Sequence, residues 1–259
     1  MKSNISWKLF VILLSANILS IIAVLPYGFT LAAETLKQAP FPLPVLAAIS
    51  IVQSSVLFAL VIFLGLKLSK KLGLGLPFLE EYLLTKKIPS HFRSIVKPSI
   101  LLGAAVGLAI IILDLLFTKS GVSISLWTGE MPPFWMGFLA SFYGGIGEEI
   151  LLRLFFMTLL VWLFSKLIKS DKNILNNDVI MWSSIIISTV LFGLGHLPIT
   201  RSLTPITSLV IIRALVLNGV GGIVFGWLYW KKGLESAMIA HFSTDIVLHT
   251  LLPFFLLFT

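Results

Sequence analysis

Seven runs of about 20 or more apolar residues, parted by short polar or basic stretches, organise this chain. They fall at about 9–33, 43–66, 98–117, 134–165, 179–197, 205–230 and 234–258. At about 1.5 Å of rise per residue, each is long enough to cross a hydrocarbon layer about 30 Å thick as a helix. The pattern predicts an all-α polytopic membrane protein of seven, or at most eight, transmembrane helices. The first run follows Lys2 and Lys8 and ends near Thr30-Leu31-Ala32, a small-x-small sequence. Its apolar stretch exceeds the 7 to 15 residues or so of a secretory signal, so it reads as a span rather than a cleaved leader.

Composition agrees. Of 259 residues, 58% are hydrophobic and 12% charged, about half the charge of a soluble domain. The chain has no cysteine, which closes thiol chemistry, thiolate metal sites and disulfides.

Charge fixes the expected orientation. Taking alternate sides of the spans, one face carries fourteen Lys and Arg residues. These are Lys2, Lys8, Lys67, Lys70, Lys71, Lys86, Lys87, Arg93, Lys97, Lys166, Lys169, Lys172, Lys231 and Lys232; the other face carries Lys37, Lys119 and Arg201. The positive-inside rule therefore places the N-terminus in the cytoplasm, and a bacterial plasma membrane is the expected home. The net charge of +8 follows from this topology and from attraction to anionic lipid, so no nucleic-acid partner is expected. The basic stretch 67–97 reads as a cytoplasmic loop with an interfacial helix. Trp7, Trp227, Tyr229 and Trp230 at span ends read as interface anchors.

Polar groups inside the spans divide the chain. The first three spans hold one acid, Asp114, whereas the rest holds Glu148, Glu149, Arg153, His196, Arg213, His241, Asp245 and His249. The expected division is an N-terminal bracing region, 1–130, and a working C-terminal region, 131–259. On insertion scales the three charges Glu148, Glu149 and Arg153 would together cost about 8 to 10 kcal/mol at the bilayer centre unless mutually satisfied. Glu149 and Arg153 are one helical turn apart and can pair, leaving Glu148 pointing elsewhere. Gly144, Gly145 and Gly147 remove bulk where the carboxylates begin. His241, Asp245 and His249 share one helical stripe, with His249 expected to be structural. Arg213 needs an acid, Asp114 or Glu149. The glycines of Gly222-x-x-x-Gly226 read as a helix-packing face.

Three motifs then stand in order: Glu148-Glu149-x-x-x-Arg153, Phe192-x-x-x-His196 and His241-x-x-x-Asp245. Over about 134–250 the chain resembles the ABI or CPBP family of intramembrane proteases. That family includes the type II CAAX prenyl endopeptidases and lysostaphin-resistance-protein-A-like proteins. The resemblance implies an endopeptidase acting on a membrane-embedded peptide or protein within the bilayer. It assigns Glu148 as the base that activates water, His196 as a water ligand, and His241 with residue 245 as donors to the oxyanion. Glu149, Arg153 and Phe192 support them. Ionised Asp245 cannot donate as Asn does, so it is expected to orient His241. Metal-free chemistry is expected because His-Glu-x-x-His is absent; zinc on Glu148, His196 and His241 is the alternative. The rival functions are a catalytically silent scaffold, immunity or regulatory protein of the same family, and a proton-coupled transporter. Straight spans would leave His241 at a different depth from Glu148 and His196, so the expectation is a last span that starts deeper in the membrane, a shift of the sixth and seventh helices at Gly222 and Gly226, or a partly buried turn at 197–204.

Overall fold

The structure, a computed structural model, describes residues 6–90, 92–122, 132–168 and 174–258. Among these residues seven helices are long and apolar enough to cross a membrane. The spans are α1 (Trp7–Leu31), α2 (Leu43–Leu72), α4 (Phe92–Lys119), α5 (Phe134–Leu167), α6 (Asp178–Leu203), α7 (Ser208–Lys232) and α8 (Leu234–Leu256), with the short helix α3 (Pro77–Thr85) between α2 and α4. The all-α membrane architecture expected from the apolar runs is present. The expected boundary at 130/131 and the basic residues Lys2, Lys169 and Lys172 lie outside the described residues.

Large apolar side chains such as Ile22, Val52, Leu60, Ile112 and Ile186 face outward, as a hydrocarbon solvent permits. The centre belongs to α5, which packs against α1, α2, α6 and α8; α8 also lies along α4 and α7. Glycines set these distances. A Cβ on Gly222 would press into Thr189, and one on Gly226 would sit 3.1 Å from the Ile185 side chain, so this pair is the α6–α7 packing face.

The start of the last span is covered. Gly233 joins α7 to α8 at φ 98° and ψ 170°, a backbone region open essentially to glycine alone. The turn seats the start of α8 beneath α3: the Leu234 N–H donates to the Gly75 carbonyl (2.9 Å), and the Leu79 N–H donates to Glu235 Oε1 (2.9 Å). Leu234 and Leu76 are buried. The basic loop is thus packed onto the bundle and covers the end of α8.

Two span-end aromatics depart from expectation. Tyr229 is buried, its hydroxyl 2.7 Å from Thr158 Oγ1, and buried Trp230 donates to the Leu175 carbonyl (2.9 Å). Both are core residues whose polar atoms find protein partners. Trp7 is exposed, as an anchor would be.

Candidate active site

Two elements carry non-standard turns where the charges sit. In α5 the backbone bonds run five residues on, in π fashion, over Tyr143–Glu148 and Ile150–Met157, and in α8 over Ile246–Leu251. Such wide turns are rare and concentrate at functional sites. The glycine-rich stretch favours a departure from regular α geometry at this point, since glycine weakens a helix. It also permits close approach: a Cβ on Gly144 would overlap the Asp245 carboxylate and lie 3.2 Å from His241 Nε2, and one on Gly145 would lie 2.9 Å from Phe242 Cβ. The α5 and α8 backbones meet because these positions have no side chain.

Glu149 and Arg153 are both buried and pair at 3.0 Å, as their spacing predicts. Arg153 also donates to the Gly222 carbonyl (3.3 Å). Its guanidinium carbon lies 5.3 and 5.5 Å from the ring centroids of Phe192 and Phe225, so two aromatic faces replace part of its lost hydration. Glu149 has a second task that its spacing does not reveal: its Oε1 accepts from His241 Nδ1 at 2.7 Å. Glu149 therefore orients the His241 ring. Asp245 Oδ1 stands 3.7 Å from His241 Nε2, beyond hydrogen-bond distance, so it faces the ring as a charge rather than as a hydrogen-bond partner. Glu148 Oε2 is also 3.7 Å from His241 Nε2. With Nδ1–H given to Glu149, the Nε2 edge of His241 faces Glu148 and Asp245.

Phe192 joins the two histidines. Its ring meets His196 edge-on (4.8 Å between centroids) and His241 likewise (5.7 Å), while Phe225 stacks on His241 at 4.6 Å and 20°. His196 Nδ1 is 2.9 Å from the Phe192 carbonyl. A carbonyl only accepts, so Nδ1 carries a proton, and in the neutral form of the ring Nε2 presents a lone pair.

Glu148, His196, His241 and Asp245 all line one cavity of about 510 Å³. Its walls hold further polar groups that motif reading left out of the site, among them Tyr27, Asn218 and His249, the last bonded through Nδ1 to the Tyr27 hydroxyl (3.1 Å). The i+4 stripe signalled His249. Tyr27, a tyrosine near the end of the first span, carries no distinguishing signal. Arg213 also lines the cavity and pairs with buried Asp114 at 2.5 Å, which settles the choice between its two candidate acids. A second hollow of about 600 Å³, across α8, is lined by Phe142, Met238, Phe242 and other largely apolar side chains and holds no titratable group. Among the described residues no group of three or more His, Asp or Glu side chains is placed to hold a metal ion.

A lipid-length helical bundle with carboxylates and histidines converging on an internal cavity defines an integral membrane protein with an intramembrane polar site. Residues 130–247 match the type II CAAX prenyl endopeptidase family described as Rce1-like, so this segment is similar to that family of proteases. No curated protein and no solved structure matches the chain. The matched segment holds all three motifs and ends before His249; Tyr27 and Asp114 lie outside it.

Proposed function

We propose that this protein is an intramembrane endopeptidase that hydrolyses a peptide bond of a membrane-associated peptide or protein, using water activated by Glu148. The observation that carries the reading is the convergence of Glu148, His196, His241 and Asp245 on one cavity, with Glu148 Oε2 and His241 Nε2 3.7 Å apart. Glu148 is the only member of its glutamate pair at the cavity surface, since Glu149 is consumed by Arg153 and His241. Water held by the Nε2 lone pair of His196 gives its proton to Glu148 as its oxygen attacks the scissile carbonyl. The resulting oxyanion accepts from Nε2–H of the imidazolium form of His241, whose ring Glu149 holds from behind. The proton on Glu148 then passes to the departing amine, which balances the step. No metal is assigned a part, and full activity after exhaustive chelation is the corresponding expectation.

The test is a comparison of membrane peptides from cells carrying wild type, Glu148→Gln and His196→Ala. A peptide end that appears only with wild type is expected. Removing a general base or its water ligand should lower turnover by about 10²-fold or more, with the protein still in the membrane. Full cleavage by either variant would sink the mechanism. A Glu148→Gln protein that still rescues a deletion phenotype would point to a binding role instead.

A further inference from the structure

Which side of the membrane feeds the site is readable from where the cavity ends. Every span has one end on the face carrying fourteen Lys and Arg residues and the other on the face carrying three. The cavity wall includes Leu31, Pro132 and Leu203, at or next to the ends of α1, α5 and α6 on the face poor in basic residues. Tyr27 and Arg213 line it within about 8 Å, along their helices, of that same face. No residue of the basic segments 67–97 and 231–233 contributes to the wall.

Counted along α8, His241 is nearer the Leu234 end, about 10 Å from it. That shorter way is filled. Ala237, Leu154, Ile185 and Met181 are completely buried, Leu228 nearly so, and the α3 segment is bonded over the start of α8 through Gly75 and Glu235. The cavity runs the longer way, towards the opposite face, and its walls carry Tyr27, Arg213, Asn218 and His249, which a water-filled passage can solvate.

We infer that the catalytic cavity opens to the non-cytoplasmic face, so that water and substrate enter from outside and the substrate is a peptide segment presented at the outer surface of the membrane. This deepens the protease reading, and rests on it only for what passes through the opening. A cytosolic peptide tail would meet the closed end. The outward direction follows from the positive-inside rule applied to the basic residues.

Because the chain has no cysteine, single-cysteine variants read sidedness directly. Leu203→Cys marks the mouth, Asn218→Cys the passage and Lys87→Cys the basic loop, with exposed Ser202→Cys in reserve should Leu203→Cys fail to accumulate. In intact spheroplasts an impermeant maleimide should label the mouth variant to the level reached after lysis, and Lys87→Cys only after lysis. A small charged methanethiosulfonate added outside should block later labelling of Asn218→Cys. A mouth cysteine that reacts only after lysis overturns the inference. So does an Asn218→Cys that is not blocked from the face that labels the mouth. Labelling requires no turnover: outside access combined with identical peptide profiles for wild type and Glu148→Gln would leave the passage standing and remove the protease reading.

Discussion

At the scale of single residues, the three carboxylates around His241 do different work because of which nitrogen each faces. Glu149 takes Nδ1 at 2.7 Å, while Glu148 and Asp245 stand at 3.7 Å from Nε2. Asp245 makes no short bond to the ring that an amide would break, so Asp245→Asn is expected to retain cleavage within about tenfold of wild type in a membrane-based peptide assay. Loss of about 10²-fold or more would assign Asp245 a proton-transfer role. Glu149 is the opposite case. Glu149→Ala leaves Arg153 buried without its counter-charge, a change that costs about 3 to 5 kcal/mol when one member of a buried pair is removed. A large drop in the thermal midpoint of the detergent-solubilised protein is expected, and Glu149→Leu combined with Arg153→Leu should recover part of it. An unchanged midpoint for Glu149→Ala would show that Arg153 is satisfied by Phe192, Phe225 and the Gly222 carbonyl alone.

At the scale of elements, the site depends on where α8 begins. The Gly233 turn and the α3 cover fix that start against the bundle. Gly233→Ala forces a Cβ into a glycine-only backbone region and into the Pro77 ring. Backbone strain of this kind costs about 1 to 3 kcal/mol, and the contact adds to it. Gly121→Ala separates the two effects: Gly121 also has a positive φ, of 93°, but nothing lies within 4 Å of its would-be Cβ. Gly233→Ala is expected to lower both thermal midpoint and turnover, and Gly121→Ala to lower the midpoint less and leave turnover unchanged. Equal effects would mean that the α3–α8 junction does not set the position of His241.

At the scale of the whole molecule, legibility tracked how local the physics is. The spans were readable because hydrophobic length is a local property, and Glu149–Arg153 because one helical turn fixes their distance. The cover over the start of α8, the second task of Glu149 and the placement of Tyr27 and His249 in one cavity were not, because each depends on contacts between distant spans. The same distinction sets what the N-terminal spans are for. Here α4 bonds to α8 through Ser99 with Ser236 (2.8 Å) and Thr244 with the Gly103 carbonyl (2.8 Å), α1 supplies part of the cavity wall, and α4 supplies Asp114 for Arg213. That ion pair crosses from the first region to the second inside the membrane. Either charge left alone there should be strongly destabilising, whereas removing both removes the desolvation cost with them. Asp114→Ala and Arg213→Ala are therefore each expected to lower the thermal midpoint, and the double variant to lie well above the sum of the two losses. Strict additivity in this cycle would show that the pair does not couple the two regions, and that Arg213 lines the cavity wall without Asp114 holding it there.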